Sequence, residues 1–241
     1  MDRRPRIVHH CRQPEVSTDL QLEWYAKNVD LHGAFCVDVG ANVGVISQFF
    51  FDNGARVLSV EPIGANVDAL RRRVEAAGAG DRWTVVQGAV TDATARVTLR
   101  ARHDARQGWN SIVSANPPPT EHLEVDGWRL HELAPDATFV KVDVEGHEYR
   151  ILDDALTRMP RVRAWAIELH MVPERPLPRV FEQFAAAGFD VVAATAKRGD
   201  PKGSWHSVRV PATLDWSKVP VARRRPDGTV FKMLHVLARR S

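Results

Sequence analysis

Cysteine is nearly absent from this chain: its 241 residues include two, Cys11 and Cys36. Two cysteines make no disulfide framework, and Cys36 falls in an apolar run that reads as a buried strand, where pairing is out of reach. A reducing compartment, the cytoplasm, is the expectation. Long apolar runs are also missing. The longest, near Val43 to Phe51, is too short and too interrupted to span a membrane. Met1 to His10 is rich in arginine but has no apolar centre, so it does not read as a secretory signal. No internal repeat or low-complexity block appears. The length suits one α/β domain with additions, large enough to need no metal or disulfide staple. The formal charge of +3 comes from scattered arginines. The run Arg71-Arg72-Arg73 falls in a helical pattern and reads as a solvated face, so nucleic acid is not the favoured partner.

A further absence narrows the ligand. Phe35 to Gly44 reads F-C-V-D-V-G-A-N-V-G, an apolar strand that stops at Gly40 and gives way to helical spacing from Val45. This strand–turn–helix unit marks a nucleotide-binding α/β domain. The dinucleotide pattern G-x-G-x-x-G lacks its middle glycine here, and Asp38 stands just before the turn. A carboxylate suits a cofactor that carries a sulfonium and an ammonium better than one that carries a pyrophosphate. The combination resembles S-adenosylmethionine (SAM) enzymes of the class I type, and that resemblance implies that Asp38 faces the methionine end of the cofactor while Gly40, Asn42 and Gly44 shape the turn. A Cβ at Gly40 is expected to hold the ligand away from the backbone. The second strand ends on Glu61-Pro62, where an acid can accept both ribose hydroxyls. Ala89, at the end of the third strand, completes the expected cofactor set with Pro62 and Asp143.

Strands and helices alternate along the rest of the chain, which predicts a parallel sheet with helices on both faces and an antiparallel edge hairpin. Residues 1–33 form an N-terminal segment whose helix, ending near His32, either covers the cofactor cleft or packs on the sheet. Residues 34–241 form the main domain, with insertions at about 102–121 and 197–227. Trp83 to Val90 is predicted as strand three, Thr94 to Arg102 as an extra antiparallel strand, and Thr229 to Ala238 as a closing strand.

Ligands in such sheets sit beyond the carboxyl ends of the strands. Asp38, Glu61, Asp143, Glu145, Glu168 and His170 all fall at or just past those ends. Methyl transfer from SAM needs in-line alignment, and an acceptor of the alcohol kind would also need a base within hydrogen-bond reach. His147, His170 and Asp143 are the candidates, and His147 opens a helix, where the dipole favours neutral imidazole. A divalent cation on Asp143, Glu145 and Glu168 is the less favoured alternative, because their spacing is no metal signature. No metal ligand is therefore assigned.

The blocks Val37-Asp38-Val39-Gly40-Ala41-Asn42-Val43-Gly44, Val60-Glu61-Pro62, Lys141-Val142-Asp143-Val144-Glu145-Gly146-His147-Glu148 and Ile167-Glu168-Leu169-His170 together resemble the FkbM family of SAM-dependent methyltransferases. The resemblance covers roughly Phe35 to His170. It implies the seven-stranded class I fold, SAM as cofactor, and O-methylation of a small molecule, sugar or polyketide-type natural product. The chain departs from the family pattern before the fourth strand. Leu130-His131-Glu132-Leu133 stands where a leucine–aspartate pair is expected. Two other readings compete. Asn116-Pro117-Pro118-Pro119 suggests an N-methyltransferase acting on nucleic acid or protein, but it lacks the aromatic that should follow, and it precedes the fourth strand. A dinucleotide-dependent oxidoreductase is opposed by the missing glycine. The sequence carries no signal for oligomeric state.

Overall fold

The computed structural model describes residues 22, 25–101, 121–170, 177–196, 205–209, 223–224, 230–231 and 233–240. Helix α1 includes residues 25–28. Then come β1 (Phe35–Val39), α2 (Val45–Asp52), β2 (Arg56–Glu61), α3 (Gly64–Ala76) and β3 (Trp83–Gln87). The middle holds β4 (Ala89–Thr91), β5 (Ala95–Ala101), β6 (Glu121–Arg129) and the short helix α4 (Leu130–Leu133). The second half runs β7 (Phe139–Val142), α5 (Glu148–Ala155), β8 (Ala164–His170), α6 (Leu177–Ala186), β9 (Asp190–Ala196) and β10 (Trp205–Arg209). Two short strands, β11 (Arg223–Arg224) and β12 (Val230–Phe231), precede β13 (Met233–Arg239).

The main sheet has eight strands in the order β10-β9-β13-β8-β7-β1-β2-β3. Parallel pairing links β3, β2, β1, β7 and β8. The order runs outward from β1 in both directions, so the topological switch point lies between β1 and β7, the place where sheets of this kind take their ligands. β13 is antiparallel to both β8 and β9, and β10 is antiparallel to β9.

The sheet thus has one strand more than the seven expected. The closing strand is not at the edge but slots between β8 and β9. Its apolar residues Val236, Leu237 and Ala238 are fully buried, which only an interior position allows. The antiparallel edge is β10, and it lies inside the stretch 197–227 that the sequence presents as an insertion. The predicted third strand breaks at Gly88. A Cβ there would stand 2.6 Å from the Asp126 carbonyl oxygen, so only glycine lets the chain pass β6. Beyond the break, β4 joins β6 and β5 in a separate three-stranded sheet. Residues 102–120, including the Asn116–Pro119 motif, lie outside the described residues.

Each strand's alternation sends its side chains to two cores. Val37, Val39, Val140, Val142, Trp165 and Ile167 face α5 and α6. Cys36, Val57, Trp83, Phe139 and Leu237 face α1 and α2. Tyr25 of α1 stacks near Phe50 and Phe139, with ring centroids 5.8 and 6.0 Å away, so α1 packs on the sheet there. Burial pushes the Cys36 thiol well above its usual range.

The α1–α2 face carries a polar row at its carboxyl end. Asp38 pairs in register with Ser59 on one side and Lys141 on the other. Trp83 Nε1 donates to Ser59 Oγ at 2.8 Å, Ser59 to Ser47 Oγ at 2.7 Å, and Ser47 to Asp38 Oδ2 at 2.6 Å. Lys141 Nζ closes the row 3.1 Å from Asp38 Oδ1. A buried charge is tolerated only with a partner. Lys141→Met should therefore cost about 3–5 kcal/mol of unfolding free energy, the range for breaking a buried ion pair on one side. Adding Asp38→Asn should recover part of that loss by removing the stranded charge. Urea denaturation of both variants checks this, and a Lys141→Met protein as stable as wild type would contradict it.

Candidate active site

The turn after β1 is built to hold Glu61. Asn42 adopts φ 51°, a left-handed conformation that asparagine tolerates. Its N–H donates to Glu61 Oε2 at 2.9 Å. Glu61 Oε1 accepts from Ile63 N–H at 3.0 Å and from Asn66 Nδ2 at 3.1 Å. A carboxylate has about four acceptor positions, and the protein occupies most of them. Oε1 is filled by Ile63 and Asn66, and Oε2 keeps one acceptor position. Burial pushes the Glu61 carboxyl up, against Ile63, Asn66, Asn42 and Lys141, which stabilise its charge. Pro62 is half-buried beside it.

The reason for glycine at position 40 differs from the expected one. With φ +75°, a Cβ on Gly40 would land on the carbonyl oxygen of Asp143 at the end of β7. The absent side chain lets β1 and β7 approach at the switch point. Gly44, at φ +85°, is likewise a packing residue. A Cβ there would meet Leu70 of α3 at 2.5 Å. Arg73 of α3 donates to the Val43 carbonyl at 2.6 Å, so this member of the arginine run clamps the turn, while Arg71 and Arg72 stay exposed.

Asp38 is wholly buried, and its carboxylate is taken up by Ser47 and Lys141. Lys141 stands between it and Asp143, 3.8 Å from Asp143 Oδ2. Burial alone would lower the Lys141 ammonium, but Asp38 and then Asp143 hold it above its usual range. Ala89 lies in β4, and its side chain packs with Leu99 and Val125 in the small sheet's core.

Four predicted rim residues come together at the tips of β7 and β8. His170 Nε2 stands 3.2 Å from Glu145 Oε2 and 3.8 Å from Glu168 Oε1. Asp143, Glu168 and His170 each bring one ligand atom within 4.8 Å of the others, a grouping able to hold a metal ion. The histidine takes the place that Glu145 was expected to fill in a cation site. Glu145 holds φ 56°, a strained conformation for a side chain that is neither glycine nor asparagine. Burial pushes the Glu168 carboxyl well up, and Asp143 adds to the rise.

The two histidine candidates for the base fare differently from the expectation. His170 Nδ1 is 2.9 Å from Glu148 Oε1 and its Nε2 faces Glu145, so both ring nitrogens donate to carboxylates. Burial disfavours its charged form, but Glu148 and then Glu145 outweigh that and lift it well above the usual imidazole range. An imidazolium so held has no lone pair with which to take a proton. His147 caps α5 and is turned toward Asp92, 4.0 Å away, rather than into the cluster. Burial foremost, and Arg150, lower its pKa and keep it neutral.

Lys141, Glu148 and His235 escaped the sequence reading. His235 on β13 stands 3.2 Å from Glu168 Oε2, and burial pushes it down to about 3. One signal was available. Lys141 and His235 each interrupt an apolar strand, F-V-K-V and M-L-H-V-L, where a lone polar residue must find a buried partner.

The strand order, with a reversed strand between β8 and β9, defines a class I methyltransferase sheet. A family model described as "Methyltransferase FkbM domain" matches residues 38–191, well over half of the chain, and the protein belongs to that methyltransferase family. No curated protein matches it. Among solved structures, methyltransferase FkbM from Methylobacillus flagellatus is 21% identical over 56% of this chain and 32% of that chain, with a TM-score of 0.41. Precorrin-6y C5,15-methyltransferase from Geobacter metallireducens is 14% identical over 87% of this chain and 81% of that one, with a TM-score of 0.42. A candidate tRNA (m1A22) methyltransferase from Streptococcus pneumoniae, complexed with SAM, is 13% identical over 92% and 72%, at 0.45. Likenesses this remote say nothing about the acceptor.

Gly40 and Gly78 make a paired test. Both have positive φ, but a Cβ on Gly78 meets nothing within 4 Å. Gly78→Ala should lose about 1–2 kcal/mol from backbone strain alone. Gly40→Ala should lose clearly more and should also lose SAM binding, as seen in chemical denaturation and calorimetry. Equal losses would mean that the turn does not press on β7.

Proposed function

We propose that the chain transfers the methyl group of SAM to a hydroxyl of a small molecule, such as a sugar or polyketide-type natural product. The observation that carries this reading is the excess of carboxylate at the switch point. Asp143, Glu145 and Glu168 gather around one imidazolium, and the nearest ammonium, Lys141, is closer to Asp38 than to any of them. SAM brings a sulfonium and an ammonium, the charges such a rim lacks. Glu61 at the tip of β2 and the turn it holds are placed for the ribose side of the same cofactor.

Methyl transfer in this arrangement is an in-line displacement. The acceptor oxygen forms a bond to the methyl carbon while the carbon–sulfur bond breaks, leaving S-adenosylhomocysteine. Positioning supplies much of the rate. The hydroxyl proton goes to a rim carboxylate. We assign it to Glu145, which is 26% exposed and keeps a strained backbone beside the cluster. Strain of this kind persists where the surroundings impose it, often at functional positions. His170 then acts as the charge that holds Glu145 in place. A hydroxyl oxygen is a weak nucleophile until its proton leaves and so needs such a base, whereas a neutral amine attacks before it loses a proton.

Incubation with methyl-labelled SAM and panels of hydroxylated small molecules, RNA and protein tests the reading. Label should enter an ether linkage on a hydroxylated small molecule. Label in RNA or protein nitrogen instead would overturn the acceptor class. Glu145→Gln should lower turnover by roughly 10²–10⁴-fold and leave SAM affinity within a few-fold. Unchanged turnover would move the base elsewhere.

A further inference from the structure

We infer that the tips of β7 and β8 form a divalent-cation site, with Asp143, Glu168 and His170 as its protein ligands. One ligand atom from each lies within 4.8 Å of the others. Three donors at about 2.1 Å from one ion stand roughly 3–4 Å from one another, so side-chain rotations that draw them closer complete the set. Carboxylates gathered on a rim are common without an ion. The case here rests on what stands behind each ligand.

Each of the three has a partner from outside the group. Behind His170 is Glu148, whose Oε1 meets Nδ1 at 2.9 Å and also accepts the N–H groups of Gly146 at 2.9 Å and Val144 at 3.3 Å. Glu148 is therefore anchored by the backbone and fixes the ring so that Nε2 is the nitrogen turned to the carboxylates. Behind Glu168 is His235, 3.2 Å from Oε2, which leaves Oε1 as the oxygen nearer His170. Behind Asp143 is Lys141, 3.8 Å from Oδ2. An imidazole that donates its far nitrogen to a carboxylate, beside a carboxylate that is itself held, is the arrangement that orients metal ligands. All three partners are buried polar groups. Glu148 is 0% exposed, and Lys141 and His235 are each 6% exposed, positions where apolar side chains would be cheaper to bury.

The balance of charge points the same way. Glu145, Glu148 and Glu168 surround His170, and Lys141 is spent first on Asp38. Two carboxylates and one imidazole suit an ion of the Mn²⁺ kind, which accepts both oxygen and nitrogen donors. Such an ion supplies Lewis acidity to an acceptor oxygen. That use of the site rests on the methyl-transfer reading, whereas the binding of the ion does not. Binding of the ion displaces the Nε2 proton of His170 and puts the ion's charge in its place, and Glu145 stays outside the ligand set.

The test is a titration of Mn²⁺ into the metal-free full chain, without SAM or acceptor, with free aqueous Mn²⁺ followed by electron paramagnetic resonance. The chain should take up one ion. Asp143→Asn should weaken uptake by at least about tenfold and His235→Ala by about 10–100-fold. Asp126→Asn, on the small sheet, should bind as wild type. No stoichiometric uptake by the folded wild type, or wild-type uptake by Asp143→Asn, overturns the site. Asp143 is 30% exposed and the least tied to folding, so its variant decides the matter if His235→Ala does not fold. A calorimetric SAM titration of the same metal-free protein separates the two readings. SAM binding without Mn²⁺ uptake removes this site and leaves methyl transfer standing. Mn²⁺ uptake without SAM binding does the reverse.

Discussion

The buried ion pair between Asp38 and Lys141 is the constraint on which the rest of this molecule depends. It joins β1 to β7 across the topological switch point, 3.1 Å from atom to atom, with neither residue more than 6% exposed. Two opposite charges so placed are costly to separate, because removing either strands the other in a medium that cannot solvate it. The pair is extended on one side by Ser47, Ser59 and Trp83, which reach across β2 to β3. On the other side it leads to Asp143. The two strands that flank the crevice are thereby fixed in register, and the turn after β1 passes so close to β7 that position 40 admits no side chain.

From that fixed edge the site's electrostatics follow. Lys141 neutralises Asp38 and has little charge left for the carboxylates beyond it. Glu145, Glu148 and Glu168 share one imidazolium, that of His170, and Asp143 stands within 4.8 Å of it. A rim of this composition is incomplete without cations from outside. In the reading proposed above, the SAM sulfonium and ammonium are one source and a divalent ion is the other. In that reading Glu61 and the turn it ties serve the nucleoside end, whereas the β7–β8 tips serve the reacting end.

Much of this was legible in the sequence, for physical reasons. The glycine turn after an apolar strand, the acid ending the next strand and the acids ending β7 and β8 are local patterns, and their placement on one rim follows from sheet topology. What stayed hidden depends on contacts between distant residues. Gly40 reads as a ligand-facing glycine, because its clash with Asp143 arises only when two strands about a hundred residues apart lie side by side. His170 looks like a base until Glu148 and Glu145 are found on both of its nitrogens. His147 shares the block of Asp143 and Glu145, yet the start of α5 turns it to Asp92. His235 was unreadable as a site residue, because the strand that carries it returns between β8 and β9 rather than at the edge.

The central claim is that the carboxyl edge of this sheet, between β1 and β7, receives SAM. The most direct measurement is a calorimetric titration of the folded protein with SAM, S-adenosylhomocysteine and NAD in parallel. The account predicts one site per chain for SAM and its demethylated product and no binding of NAD. Binding of NAD with none of SAM would contradict it.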